Sequence, residues 1–169
     1  MKHFKTLLLV AVFTLGLGAV ANAQKIGHIE VSKLLISMPA TKAMETELAK
    51  TEKTYKDEIG TLEQKYVDKM KKYAAEEKGQ TPETNSARKL EVQKDLNRIE
   101  QAKQFAAQEM RKKYNELLEP IVTAAQKAIK EVAAAQNLVY VFDASPGKGL
   151  LIFDKGINIY DAVKAKLGF

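Results

Sequence analysis

The sequence contains no cysteine, no tryptophan and only four prolines in 169 residues. Its two histidines are His3 and His28. Each absence removes a class of function. Without thiols there is no disulfide framework, no cysteine-based metal site and no thiolate nucleophile. A single histidine beyond the first few residues leaves imidazole-based metal binding and Ser-His catalysis almost nothing to build on. No serine or carboxylate pair sits in a recognisable catalytic motif, so the chain reads as a non-enzyme without cofactor or metal. Gly147-Lys148 invites comparison with a phosphate loop. The earlier glycine of that loop is missing, however, and Gly149 stands where Ser or Thr should follow the lysine.

Long apolar runs are also scarce. The one that exists, residues 7–20, follows Lys2, His3 and Lys5 and precedes Ala21-Asn22-Ala23. That order is a secretory signal peptide over residues 1–23. A membrane anchor fits less well, because the run falls short of the ~20 residues needed to span a bilayer and Gly16 and Gly18 interrupt it. The mature chain is therefore expected to be soluble, exported and one domain in size. Losing Lys2 and Lys5 with the leader takes the formal charge from +6 to +4. That mild basicity suits acidic partners, whereas export and the lack of a basic-aromatic motif argue against nucleic acid.

What the sequence has in abundance is helical periodicity. In residues 40–78, Met44, Leu48, Tyr55, Ile59, Leu62, Tyr66, Met70 and Tyr73 recur at steps of three, four and seven. Leu96, Ile99, Ala106, Met110, Tyr114, Leu117 and Ile121 answer from the other side of Gly79-Gln80-Thr81-Pro82-Glu83. Gly79 can end a helix in the left-handed conformation, and Thr81-Pro82 can cap and start the next. The first arm would run about 58 Å at ~1.5 Å per residue, matched by the return to Glu119. The pattern predicts an antiparallel, coiled-coil-like hairpin over residues 40–119. Its apolar stripe is thin, interrupted by Lys103, and its spacing near 3.6 predicts nearly straight arms. Glu52–Lys56, Asp68–Lys72 and Glu109–Lys113 are i,i+4 pairs in the better orientation. Charge is uneven along the arms. Residues 65–94 hold eight Lys or Arg against five acids, an excess of +3, while the rest of the arms carries −2.

Residues 24–39 and 120–169 form the expected body. Residues 25–31 alternate as a strand, Ser32 can cap a helix over 33–38, and Pro39 restarts the chain into the arm. Pro120, inside the helical pattern, should kink it and mark the joint of arm and body. Asn137 is a left-handed stop. Residues 138–143 are the clearest strand. They are followed by a Ser-Pro-Gly turn and a second strand over 150–153. Asn158 can cap a last helix over 159–167, with Gly168 at its end. The fold class is α+β: a long helical hairpin projecting from a small β body. Exposed edges of three short strands would be removed by joining sheets between subunits, with Ile26, Ile29, Val31, Val139 and Val141 as candidate interface residues.

The order of these elements resembles the Skp/OmpH family of periplasmic chaperones. It runs from a leader through Lys-Ile-Gly-His-Ile-Glu-Val, Met38-Pro39 and a charged hairpin to Leu-Val-Tyr-Val-Phe-Asp and Ile-Asn-Ile-Tyr-Asp-Ala-Val-Lys. The resemblance covers the whole mature chain. It implies a homotrimer whose three hairpins enclose a cavity. That cavity would hold unfolded outer-membrane β-barrel proteins in the periplasm without ATP and keep them from aggregating. Anionic lipid or lipopolysaccharide is a further partner class the family suggests. Two other classes compete: a structural coiled-coil adaptor for one folded partner, and a lipid-binding protein of the cell envelope. Client-binding candidates are Lys69, Lys72, Lys78, Arg88 and Lys89 at the tip, for attraction of acidic clients, and Phe105, which lies off the stripe. The tyrosines and methionines on the stripe serve first as the hairpin's own seam.

Overall fold

The computed structural model describes residues 25–148 and 155–169. The expected leader and the expected strand over 150–153 lie outside these residues. Strand β1 (Lys25–Ile29) leads into helix α1 (Val31–Ser37), the long helix α2 (Pro39–Glu76) and one 3-10 turn (Glu77–Gly79). Helix α3 (Pro82–Ala135), strand β2 (Leu138–Asp143), the two-residue strand β3 (Ile157–Asn158) and helix α4 (Tyr160–Leu167) complete the described chain. Among these residues, no helix is long and apolar enough to cross a membrane.

The hairpin forms where the sequence places it. At about 1.5 Å per residue, the 38 residues of α2 extend about 57 Å, and the 54 residues of α3 about 81 Å. The Thr81 hydroxyl accepts the Thr84 N–H at 3.2 Å, and Pro82 opens α3. The end of α2 differs from expectation. Gly79 does not turn left-handed. The helix instead tightens into a 3-10 turn, where Gln80 N–H donates to the Glu77 carbonyl at 3.3 Å. The Asn85 side-chain amide donates to the same carbonyl at 3.0 Å. The orphan carbonyl is thus satisfied from the next helix, and no left-handed residue is needed. Asn137, with φ 55°, and Gly168, with φ 83°, are the left-handed stops the sequence indicates.

Helix α3 runs through Pro120 without interruption. Burial changes character there. Before Pro120 only Ile99 and Ala106 are buried on α3; beyond it Ile121, Ala125, Ala128 and Val132 all are. These four pack with Ile29, Leu34, Met38, Met44, Ile159 and Val163 into one core. Met44 of α2 thus belongs to the core of the body.

The sheet has the order β2-β1-β3, and both neighbours run parallel to β1. Ile26 lies opposite Tyr140, Ile29 opposite Asp143, and Gly27 opposite Ile157. Parallel partners need a long crossover, and the whole hairpin serves as that connection between β1 and β2. β3 was not anticipated, because Ile157-Asn158 reads locally as a cap. The Asn158 side chain does accept the Tyr160 N–H at 2.9 Å, but Ile159 occupies the cap position and α4 starts one residue later than expected. As the central strand, β1 is buried on both faces: Gly27, His28 and Ile29 are all inaccessible. A Cβ on Gly27 would lie 2.6 Å from Leu138 Cδ1 and 3.3 Å from the Ile157 carbonyl oxygen. A larger residue there would have to displace the Leu138 side chain and press on the β3 backbone.

The first strand ends two residues earlier than expected, and Ser32 is not a cap. Glu30 is the N-cap of α1 and makes no side-chain capping bond. The cap comes from the far end of the chain. The Asp143 carboxylate accepts the Val31 N–H at 3.3 Å, and the Ser145 hydroxyl oxygen accepts the Ser32 N–H at 3.0 Å. Burial works against the charge on Asp143. Bonds from the Ser145 hydroxyl, the Ser145 N–H and the Val31 N–H outweigh it and hold the carboxyl below its ordinary pKa. Met38 closes α1 and opens α2 without a side-chain cap. The Thr41 hydroxyl secures that corner by donating to the Leu35 carbonyl.

Candidate functional site

No group of three or more His, Asp or Glu side chains that could hold a metal exists among the described residues. The candidate site is the hairpin and its tip.

A two-helix hairpin has too little apolar seam to hold itself closed by packing alone. Polar bridges supplement that seam. Lys113 reaches Glu47 at 2.6 Å, Lys103 reaches Glu63 at 2.8 Å, and Arg88 reaches Glu76 at 2.6 Å. Lys69 bonds both Asp95 and Glu91, and the Tyr73 hydroxyl donates to Glu91 at 2.6 Å. Tyr55 meets Phe105 edge to face at 6.2 Å between ring centres. As the α2 number rises its α3 partner's falls, which is antiparallel register written in charges. Lys103, an interruption when read along one helix, is a cross-arm bridge. Lys113 pairs with Glu47 on the facing arm rather than with Glu109 on its own.

The bridges polarise their members. Hydrogen bonding to Asp95 and Glu91 raises the Lys69 pKa, and bonds from Lys69 and Tyr73 lower that of Glu91. The bond to Glu91 raises the Tyr73 hydroxyl. Glu47 is lowered by its bond from Lys113, and Lys103 is raised by its bond to Glu63. These groups are exposed, so each bridge contributes little alone; their effect lies in number and register.

The five cationic tip residues separate into two kinds. Lys69 is held between two carboxylates. Arg88 lies 4.4 Å over the Tyr73 ring and bonds Glu76, so both residues are clamps within the hairpin. Lys72, Lys78 and Lys89 are exposed and make no ion pair among the described residues. Phe105 is 57% exposed despite its contact with Tyr55. Sequence reasoning missed Glu91 as the hub of the tip and Leu90 as its most exposed large apolar side chain, at 64%. Reflecting the two arms about Thr81 would have set Glu91 level with residue 71, between Lys69 and Tyr73.

Between the arms near the tip lies a groove of about 300 Å³, lined by Tyr66, Met70 and Tyr73 from α2 and by Arg88, Val92 and Leu96 from α3. A second cleft mixes charged Lys69, Asp95 and Arg98 with apolar Leu62, Tyr66 and Ile99.

In the body, Ile29 and Val31 are used by the protomer itself: Ile29 lies within the core and Val31 packs against it. Val141 packs against the core and remains partly accessible. Ile26 and Val139 are exposed, as are Tyr140 and Phe142, whose rings stack on the edge strand β2. Among the described residues, no strand pairs with the outer edge of β2.

A family model described as outer membrane protein (OmpH-like) matches residues 25–167. A solved structure of a candidate outer membrane chaperone (OmpH-like) from Caulobacter crescentus CB15 superposes with a TM-score of 0.74 at 16% identity. The alignment covers 85% of this chain and 83% of that one. At this identity the likeness is one of fold. A search of curated proteins gives no match.

Proposed function

The chain belongs to the OmpH-like family of outer membrane proteins, and from that premise we propose that it is an ATP-independent periplasmic holdase. It binds unfolded outer-membrane β-barrel proteins between helical arms and prevents their aggregation. The carrying observation is the division of labour along the hairpin. Ion pairs between the arms share the work of closure with a thin apolar seam, leaving large apolar side chains such as Met70, Leu96, Phe105 and Tyr114 accessible along its length. Polarizable and aromatic side chains on a straight rod can meet many unfolded sequences weakly and reversibly. The exposed apolar side chains of Ile26, Val139, Tyr140 and Phe142 support self-association, and the assembly that the family resemblance implies is a homotrimer whose three arms enclose the client. The unpaired Lys72, Lys78 and Lys89 act at range, on the rate of client capture more than on its strength.

The test is dilution of a urea-unfolded barrel protein into buffer with and without this protein, followed by light scattering. Scattering suppressed at near-stoichiometric protein, without nucleotide, supports the holdase. Scattering unchanged by the protein overturns it.

A further inference from the structure

The two clefts between the arms differ in how their charged groups are used. One is satisfied within the hairpin by Lys69, Glu91 and Asp95. The other, the 300 Å³ groove, is unsatisfied in two respects. Its apolar members Met70 and Leu96 remain 41% and 38% exposed although they border the aromatic surfaces of Tyr66 and Tyr73. Its cation is also half-used: Glu76 takes the Arg88 Nη2, while Nη1 is buried and makes no hydrogen bond. A buried donor without an acceptor is costly, and more so on a charged group. Lys89, on the same lining, is exposed and makes no ion pair among the described residues. Glu77 is the one carboxylate in that lining; Glu76 takes Arg88 from outside it, so Lys89 is the cation at the groove that no carboxylate among the described residues holds.

We propose that this groove takes a large apolar side chain, aromatic or aliphatic, from an unfolded polypeptide segment that carries a carboxylate beside it. The apolar group fills the space between Met70, Tyr73 and Leu96, and the carboxylate meets the exposed Lys89 at the rim. This deepens the holdase proposal and rests on it, since the segment belongs to a client. The volume favours such an occupant. Small-molecule sites begin at about 300 Å³, which is room for one or two side chains and not for a folded surface. The preference is local, so an unfolded chain offers many such pairs and none need be unique.

The experiment uses the mature protein and three dye-labelled peptides on a Gly/Ser background, containing Phe-Asp, Phe-Lys or Ala-Asp, read by anisotropy. Phe-Asp should bind about tenfold tighter than Ala-Asp, the effect of burying one large apolar side chain. It should bind roughly two- to fivefold tighter than Phe-Lys, the scale of exposed ion pairs, with that margin shrinking as salt is raised. Lys89→Glu should remove the Asp preference, and Met70→Ser should reduce the Phe preference. Both residues are exposed, and unchanged circular dichroism certifies the helices. Equal binding of all three peptides, or preferences untouched by both variants, overturns the proposal. So does binding to phosphatidylglycerol/phosphatidylethanolamine vesicles, or tip-to-tip association, that Met70→Ser abolishes while the peptides bind alike. The same preparation is assayed for suppression of barrel-protein aggregation. Suppression with flat peptide preferences removes the groove and leaves the holdase. Selective peptides without suppression do the reverse.

Discussion

The arm and the body of this protein are built from the same helices but held by different forces. In the body, α1, the far ends of α2 and α3, α4 and β1 meet around side chains such as Leu34, Ile159 and Val163, which are fully buried. In the arm, buried residues on α3 shrink to Ile99 and Ala106 while cross-arm ion pairs recur from Glu47 to Arg88. Burial of apolar area supplies large, cooperative stabilisation that depends on fit. Exposed charges supply small, adjustable contributions that tolerate relative movement of their partners. A molecule with one rigid end and one adaptable end anchors itself with the first and accommodates others with the second.

The sharpest way to break that contrast is to remove a body side chain. Leu34→Ala should cost about 2–5 kcal/mol by loss of transfer energy and cavity formation, read as a lowered urea midpoint. Ile99→Ala in the arm should cost less. Equal losses would mean that the arm is as well packed as the body.

Val139→Asp comes next. Val139 is 51% exposed in the single chain, so the substitution should leave the protomer folded. It should lower the molar mass seen by light scattering, because a carboxylate cannot be buried alone in a subunit interface. An unchanged mass would place the interface elsewhere.

Acid should separate arm from body more gently. Glu47 and Glu91 titrate below the ordinary value of 4.5. Their contribution is complete above about pH 4.5 and is lost as pH falls through their lowered values. Amide exchange in residues 47–76, corrected for intrinsic rate, should accelerate there before exchange in the core does. Simultaneous acceleration would erase the distinction.

The smallest effect is Gly60→Ala. A Cβ on Gly60 meets nothing within 4 Å, and the residue lies inside α2. The arm should gain about 0.5–1 kcal/mol from reduced chain entropy, visible as slower exchange around residue 60 with the core unaffected.

The sequence was most legible where structure is local. Thr81-Pro82, Asn137 and Gly168 announce the ends of helices because capping depends on a few adjacent dihedral angles. The stripes of Met44 and Ile99 announce the hairpin because helical steps repeat. What stayed hidden is tertiary. Capping of α1 by Asp143 and Ser145 joins residues more than a hundred positions apart. The parallel partner of β1 cannot be read from alternation, and β3 is too short to have a period. At the tip, Arg88 looked like a free cation because Glu76 and Tyr73, which engage it, lie on the other helix. Gly79 carried a genuine stop signal, yet Asn85 supplied the bond that made a left-handed turn unnecessary.

The parallel pairing of β1 with β2 also predicts an order of events in folding. Zipping Ile26 to Tyr140 directly from a disordered chain would close a loop of more than a hundred residues, and loop entropy opposes that closure. Once α2 and α3 have annealed from the Thr81 turn outward, Pro39 and Pro120 are already neighbours and the remaining gap is short. On that order the arm serves as its own protein's first folding scaffold, and the sheet should be the last part to acquire protection. Pulse-labelled refolding that protected Gly27 before Ile99 would reverse that order.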